Sequence, residues 1–192
     1  MKNNNEKIAL IIGGSRGIGR AIGLRLAKSG FNIWLTYRNN HAAAQMVKTE
    51  IEKKGRTCDI LSFDVSDYSE TEAALGKKVD ALAPDVVVYN PGITRDNLLV
   101  WMTKEEWSAV ISTNLNGFYN VMHLVMFPML RGKKGRIVVI SSTSGQIGLR
   151  LAKSGFNIWL TYRNNHAAAQ MVKTEIEKKG RTCDILSFDV SD

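Results

Sequence analysis

The chain has 192 residues, which is room for one domain and at most a small second one. With 44% hydrophobic and 23% charged residues it has the make-up of an ordinary folded protein, so disorder is excluded as its main state. The net charge of +8 raises nucleic-acid binding, but the bases are spread along the chain apart from Arg131-Gly132-Lys133-Lys134-Gly135-Arg136, and no zinc spacing, basic heptad or RNA-binding signature goes with them, so nucleic acid is not expected as a partner.

Lys7 to Ile12, apolar at every position after Lys7 and followed by a glycine turn, has the pattern of a strand buried on both faces. The run is far too short for a signal-peptide core or a membrane span, and Cys58 and Cys183 form no disulfide framework. A reducing cytoplasm, and no membrane association, is the expectation. The turn Gly13-Gly14-Ser15-Arg16-Gly17-Ile18-Gly19 opens a helix over Gly17–Ser29, stopped by Gly30. A strand over Asn32–Tyr37, a helix over His41–Lys54 and a strand over Thr57–Phe63 follow. Ser69 and Glu72 fit a capping box for a helix running to about Leu82. Asp85–Tyr89 is a buried strand, Thr103 and Glu106 form a second capping box before a long helical stretch ending near Leu130, and Arg136–Ser141 is a further strand.

Apolar strands alternating with helices predict an α/β fold, a doubly wound parallel sheet of the Rossmann type, with its first five strands in the order 3-2-1-4-5. The organisation then changes. Residues 22–67 recur without a single difference as 147–192. Diverged repeats differ at many positions, so an unchanged copy points to a recent duplication, an engineered join or a copying error. A solenoid is excluded, because residues 68–146 share no such period. The expected division is a nucleotide-binding domain over 1–146, truncated after its fifth strand, and a duplicate over 147–192 that adds a helix stub, a strand, a helix and a strand. The duplicate is expected to extend the sheet beside the fifth strand; the alternative is that it competes with the first copy for the same place.

The glycine turn sits between a buried strand and a helix, the context that lifts such a motif above chance. Its glycines let the backbone turn tightly and let a pyrophosphate approach the main chain, while the helix N-terminus offers unpaired N–H groups and a positive dipole end. The spacing is Gly13-x-x-x-Gly17-x-Gly19, and Gly13, Ser15, Arg16, Gly17, Ile18 and Gly19 are the candidate contacts. An NAD site places an acid after the second strand to bind the ribose hydroxyls. This chain has Tyr37-Arg38 there, and Arg38 with Arg16 suits a 2′-phosphate, so the expected cofactor is NADP(H). Asp64, after the third strand, is a candidate acceptor for an adenine amino group, and Asn90-Pro91-Gly92 lies at the carboxyl edge of the sheet, where ligands of open α/β sheets bind.

Residues 1–148 resemble a short-chain dehydrogenase/reductase, and within that family they are most similar to the 3-oxoacyl-acyl-carrier-protein reductases. The residues that carry the resemblance are Gly13 to Gly19, Asp64-Val65, Asn90 to Leu99, Asn114-Leu115-Asn116-Gly117 and Ile140-Ser141-Ser142. Two departures are small: Ile12 stands for the usual Thr before the first glycine, and Tyr89-Asn90-Pro91-Gly92 for Asn-Asn-Ala-Gly. The resemblance implies an NADPH-dependent reduction of a 3-oxoacyl thioester carried on acyl carrier protein. It adds Val65, Asn90 and Gly92 to the cofactor contacts. It also implies a catalytic Asn, Ser, Tyr and Lys, with Asn114 supporting a proton-relay water and Ser142 bonding the substrate carbonyl.

The Tyr and Lys are absent. In the family the Tyr falls thirteen residues beyond the Ser and the Lys four further on; here those positions are Gly155 and Trp159. None of the five tyrosines has Lys four residues later, and Tyr162-x-x-x-His166 is only a copy of Tyr37-x-x-x-His41. Family members are homo-oligomers whose interface helices come from the region that the copy replaces. Lys133 and Lys134 are candidates to meet an acidic carrier protein, with a solvated basic loop as the equal alternative. Three readings of function stand: a 3-oxoacyl thioester reductase, inactive as written for want of Tyr and Lys; a non-catalytic NADP(H)-binding module; and a duplication product or engineered chain without a role of its own.

Overall fold

β1 (Ile8–Ile12) is buried at every position, and its side chains divide by the two-residue strand period. Ile8, Leu10 and Ile12 join one apolar cluster; Ala9 and Ile11 join another. Each face of the sheet therefore carries its own core, which is why a continuous apolar run is needed. In the computed structural model the described residues are 7–95, 98, 100–140, 157–162 and 166–187.

Around β1 run β2 (Asn32–Tyr37), β3 (Cys58–Ser62), β4 (Val86–Tyr89) and β5 (Arg136–Val139), all parallel, in the order β3-β2-β1-β4-β5. That is the order expected. α1 (Gly17–Lys28) and α2 (His41–Glu52) cover one face through Ala27, Ala44, Val47 and Ile51. α3 (Tyr68–Ala81) and α5 (Gly117–Arg131) cover the other through Leu75, Val79, Val121, Val125 and Met129. Burying each such Leu, Ile or Val stabilises the fold by about 1.5–3 kcal/mol. Arg20 and Glu50 clip α1 to α2 with a forked ion pair of 2.6 and 2.8 Å.

Two expectations change. The capping box at Ser69 and Glu72 does not form. Asp67 is the N-cap of α3, its carboxylate accepting from the Glu70 N–H at 2.9 Å, so Ser69 already lies inside the first turn. Asp caps as well as Ser and stands two residues earlier. The second box is present: Thr103 and Glu106 cap α4 (Lys104–Ile111) reciprocally. The long helix after it is not continuous, because a π-helical turn over Ser112–Asn116 separates α4 from α5.

In the repeated segment, β6 (Ile158–Tyr162), α6 (His166–Glu177) and β7 (Cys183–Ser187) rebuild β2-α2-β3. The pairing register is reproduced, with Ile158 opposite Cys183 as Ile33 is opposite Cys58. β6 lies alongside β5. Ile158, Ile176 and Cys183 enter the cluster that holds Met129 and Ile137. Among the described residues β6 and β7 nevertheless form a separate two-stranded sheet, with no ladder to β5. Among the described residues side-chain burial, rather than strand pairing, joins β6, α6 and β7 to the sheet. The expected helix stub, residues 147–153, falls outside the described residues.

Candidate functional site

The carboxyl ends of β3, β2, β1 and β4 open into a cleft of about 460 Å³. Because β1 is central in the order β3-β2-β1-β4-β5, the β2–β3 ends form one side of the cleft and the β4 end the other. Of the expected residues, Gly13, Ser15, Arg16, Arg38, Asp64, Val65, Asn90 and Gly92 line it.

Gly13 has φ 73° and Gly17 φ 53°, left-handed values that admit the sharp exit from β1 into α1. A Cβ on Gly19 would collide with the Gly13 carbonyl oxygen, so the first turn of α1 can lie this close to the loop only as glycine. Arg16 is the N-cap of α1 and is exposed. No side chain caps that terminus and its first turn holds no acid, so its N–H groups and positive dipole end are open to an anion.

The loop is held from both sides. The Thr36 hydroxyl accepts from the Gly13 N–H at 3.1 Å, and the Thr36 carbonyl accepts from the Gly14 N–H at 2.9 Å. From the β4 side, Asn90 Nδ2 donates to the Gly13 carbonyl at 3.1 Å. Asn90 thus ties the two strand ends together. Nothing in the sequence singled out Thr36, since its partner lies on a neighbouring strand.

On the β2–β3 side, Arg38 Nη1 donates to Asp64 Oδ2 at 3.2 Å, with the Arg38 side chain 58% exposed. The other oxygen, Asp64 Oδ1, accepts from the Ser66 N–H at 2.9 Å and the Ser66 hydroxyl at 2.7 Å. Burial works against the charged carboxyl, but the Ser66 hydrogen bonds and the Arg38 charge outweigh it and hold Asp64 below the usual carboxylate range. Asp64 therefore orders Arg38 and the β3 exit, besides lining the cleft. Tyr37 lines it too, its hydroxyl paired with His41 Nδ1 at 2.6 Å. Asn40 lines the cleft and caps α2 through the Ala43 N–H at 2.9 Å.

At the β4 side, Asn114 sits in the π turn and grips one backbone unit with both ends of its amide. Oδ1 accepts from the Ile93 N–H and Nδ2 donates to the Ile93 carbonyl, each at 2.9 Å. Asn114 does not itself line the cleft; Ile93 and Thr113 do. Gly17, Ile18 and Gly19 form the first turn of α1. Ser142 falls outside the described residues. Lys134, a candidate for an acidic partner, is paired with Asp85 at 2.9 Å, while Asp85 Oδ2 accepts from the Ile8 N–H at 2.8 Å. Among the described residues no helix is long and apolar enough to cross a membrane, and no cluster of His, Cys, Asp and Glu is arranged to hold a metal.

The short chain dehydrogenase family model matches residues 7–150. The chain belongs to that family. It is 48% identical over 143 residues to a 3-oxoacyl-acyl-carrier-protein reductase of Aggregatibacter actinomycetemcomitans, covering 73% of this chain and 59% of that one. A Staphylococcus aureus reductase of the same description is 41% identical over 143 residues, covering 74% of this chain and 58% of the relative. The chain thus spans less than two thirds of the curated relatives it matches. In structure it is similar to a 3-ketoacyl-ACP reductase from Sinorhizobium meliloti, with TM-score 0.72 and 27% identity over 81% of this chain and 71% of that one. An actinorhodin polyketide ketoreductase solved with NADPH gives TM-score 0.73 and 26% identity, over 89% of this chain and 76% of the ketoreductase.

Proposed function

We propose that the cleft binds NADP(H), and that it is the cofactor half of a 3-oxoacyl thioester reductase whose substrate is carried on acyl carrier protein. The observation that carries this is the pairing of an open α1 N-terminus with two arginines, Arg16 and Arg38, on the walls of one cleft. The pyrophosphate fits the N–H groups of Gly17 to Gly19, and Gly17 has nothing within 4 Å of where a Cβ would be, so the approach is open. Arg38 and Arg16 suit a 2′-phosphate, since a guanidinium fork matches phosphate oxygens. Ser15, Ile18, Asp64, Val65, Asn90 and Gly92 complete the contacts. The curated relatives are described as reductases of this substrate class, and the ketoreductase was solved with NADPH.

Bound there, NADPH would supply a hydride to the carbonyl carbon of the substrate. Asn114 would hold the Ile93 backbone at the β4 side, and Ser142 would bond the substrate carbonyl. The proton has no evident donor, because the positions of the family Tyr and Lys are Gly155 and Trp159. A general acid contributes about 10²–10⁴-fold, so we assign this chain cofactor binding with turnover close to background. We take residues 147–192 as a second segment that packs on the sheet or competes with the first copy for its place, and a reducing cytoplasm as the compartment.

Two measurements test this. NADPH fluorescence titration should give saturable binding at sub-millimolar cofactor; its absence would end the binding assignment. Following NADPH absorbance with a 3-oxoacyl thioester should give almost no turnover, and ordinary turnover would refute the inactivity.

A further inference from the structure

The structure assigns Tyr89 a positioning role: its hydroxyl fixes the π turn that lets Asn114 hold Ile93 at the β4 side of the cleft. This rests on the cofactor reading above for its consequence, though not for its geometry.

In a regular α-helix the Gly117 N–H would bond the carbonyl four residues back, that of Thr113. Here it bonds the Ser112 carbonyl, five back. The Tyr89 hydroxyl donates to the Thr113 carbonyl instead, at 3.0 Å. Tyr89 is 2% exposed and comes from the end of β4, so a strand side chain has taken over a bond that the helix gave up. A π turn carries one extra residue and shifts the helical phase by about 100°. Asn114, next after Thr113, is the residue whose amide grips Ile93.

The neighbours agree with this role. A Cβ on Gly117 would lie 2.8 Å from the Tyr89 hydroxyl and 2.8 Å from Val65 Cγ2, so only glycine leaves room for the phenol. The Phe118 ring meets the Tyr89 ring edge-on, at 5.3 Å between centroids, which limits its rotation. Tyr89 also precedes Asn90, which ties β4 to the glycine turn. Two adjacent residues at the end of β4, Tyr89 and Asn90, therefore set the loop that would face the far end of a dinucleotide and the turn that would face its pyrophosphate.

Tyr89→Phe tests it, since the ring keeps the core filled and only the hydroxyl is lost. Two probes separate the sides of the cleft: 2′,5′-ADP reaches the Arg38 side and the glycine turn but not the Ile93 loop, whereas NADPH spans to the β4 side. The expected result is NADPH binding weakened about three- to tenfold, the range of one neutral hydrogen bond, with 2′,5′-ADP binding unchanged. Amide exchange at Ile93 in the unliganded protein should quicken severalfold while the amides of β1 and β4 hold. Equal weakening of both ligands together with faster exchange throughout the sheet would mean a merely structural residue and overturn the inference. So would an unchanged NADPH affinity with unchanged Ile93 exchange. If the unaltered chain bound neither ligand, the cofactor reading would fall, while the exchange measurement would still decide the role of Tyr89.

Discussion

Removing Arg38 puts the cofactor reading to its hardest test. A hydrogen bond to a charged partner contributes about 1.5–3 kcal/mol. Arg38 is 58% exposed and already shares its guanidinium with Asp64 at 3.2 Å, so water and a carboxylate both compete with a bound phosphate. The lower end of that range, about 1.5 kcal/mol or roughly tenfold in Kd, is expected for a 2′-phosphate. Folding should hardly change, because an exposed ion pair contributes only about 0–1 kcal/mol. Arg163 is the copy of Arg38, so the variant to use is the double one, Arg38→Ala with Arg163→Ala, which stops the second segment from standing in for the first. Fluorescence titration should give an NADPH affinity about tenfold weaker and an NADH affinity unchanged, with a shallower dependence on salt for NADPH. An unchanged ratio of the two affinities in the double variant would refute the assignment of Arg38 to the 2′-phosphate. A preference that survives Arg38→Ala but not the double change would mean that the copies exchange places.

Other outcomes follow from the geometry. Gly19→Ala forces a methyl group onto the Gly13 carbonyl; overpacking of this kind costs about 1–3 kcal/mol, so thermal denaturation should show a loss of several degrees together with abolished NADPH binding. Gly17→Ala meets nothing within 4 Å but must adopt φ 53°, and should cost only about 1–2 kcal/mol. Asp64 is held below its usual value of 3.8, so its contribution to stability is present above that pH and is lost as pH falls toward the folded value. Urea titrations of the unaltered chain and of Asp64→Asn should therefore differ at neutral pH and converge in acid. Burial pushes the Cys58 thiol up to about 12 and the Cys183 thiol up to about 11, against the usual 9.0. Both should resist a thiol reagent in mildly alkaline buffer until the chain unfolds, and the stability they lend should be complete below pH 9.0 and fall as pH rises from there toward those values.

The sequence by itself determined the sheet and its order. Runs such as Ile8–Ile12 and Val86–Tyr89, alternating with periodic helices, leave few topologies open once crossovers are right-handed. It also determined where the chain turns tightly from strand to helix, because Gly13 and Gly17 take left-handed φ values and Gly19 leaves no room for a Cβ. The identity of residues 22–67 with 147–192 likewise implied that the strand-helix-strand unit would be rebuilt, and its register is the same. Tertiary structure decided what lies between elements. Asp67 rather than the expected Ser69 caps α3, its carboxylate accepting from the Glu70 N–H. Thr36 clamps the glycine turn, Asp64 orders Arg38, and Lys134 pairs with Asp85. The π turn under Asn114 receives a hydroxyl from β4, 24 residues away in sequence. Periodicity reports which face of an element is apolar; it carries no record of hydrogen bonds between the ends of strands that meet only after the sheet has assembled.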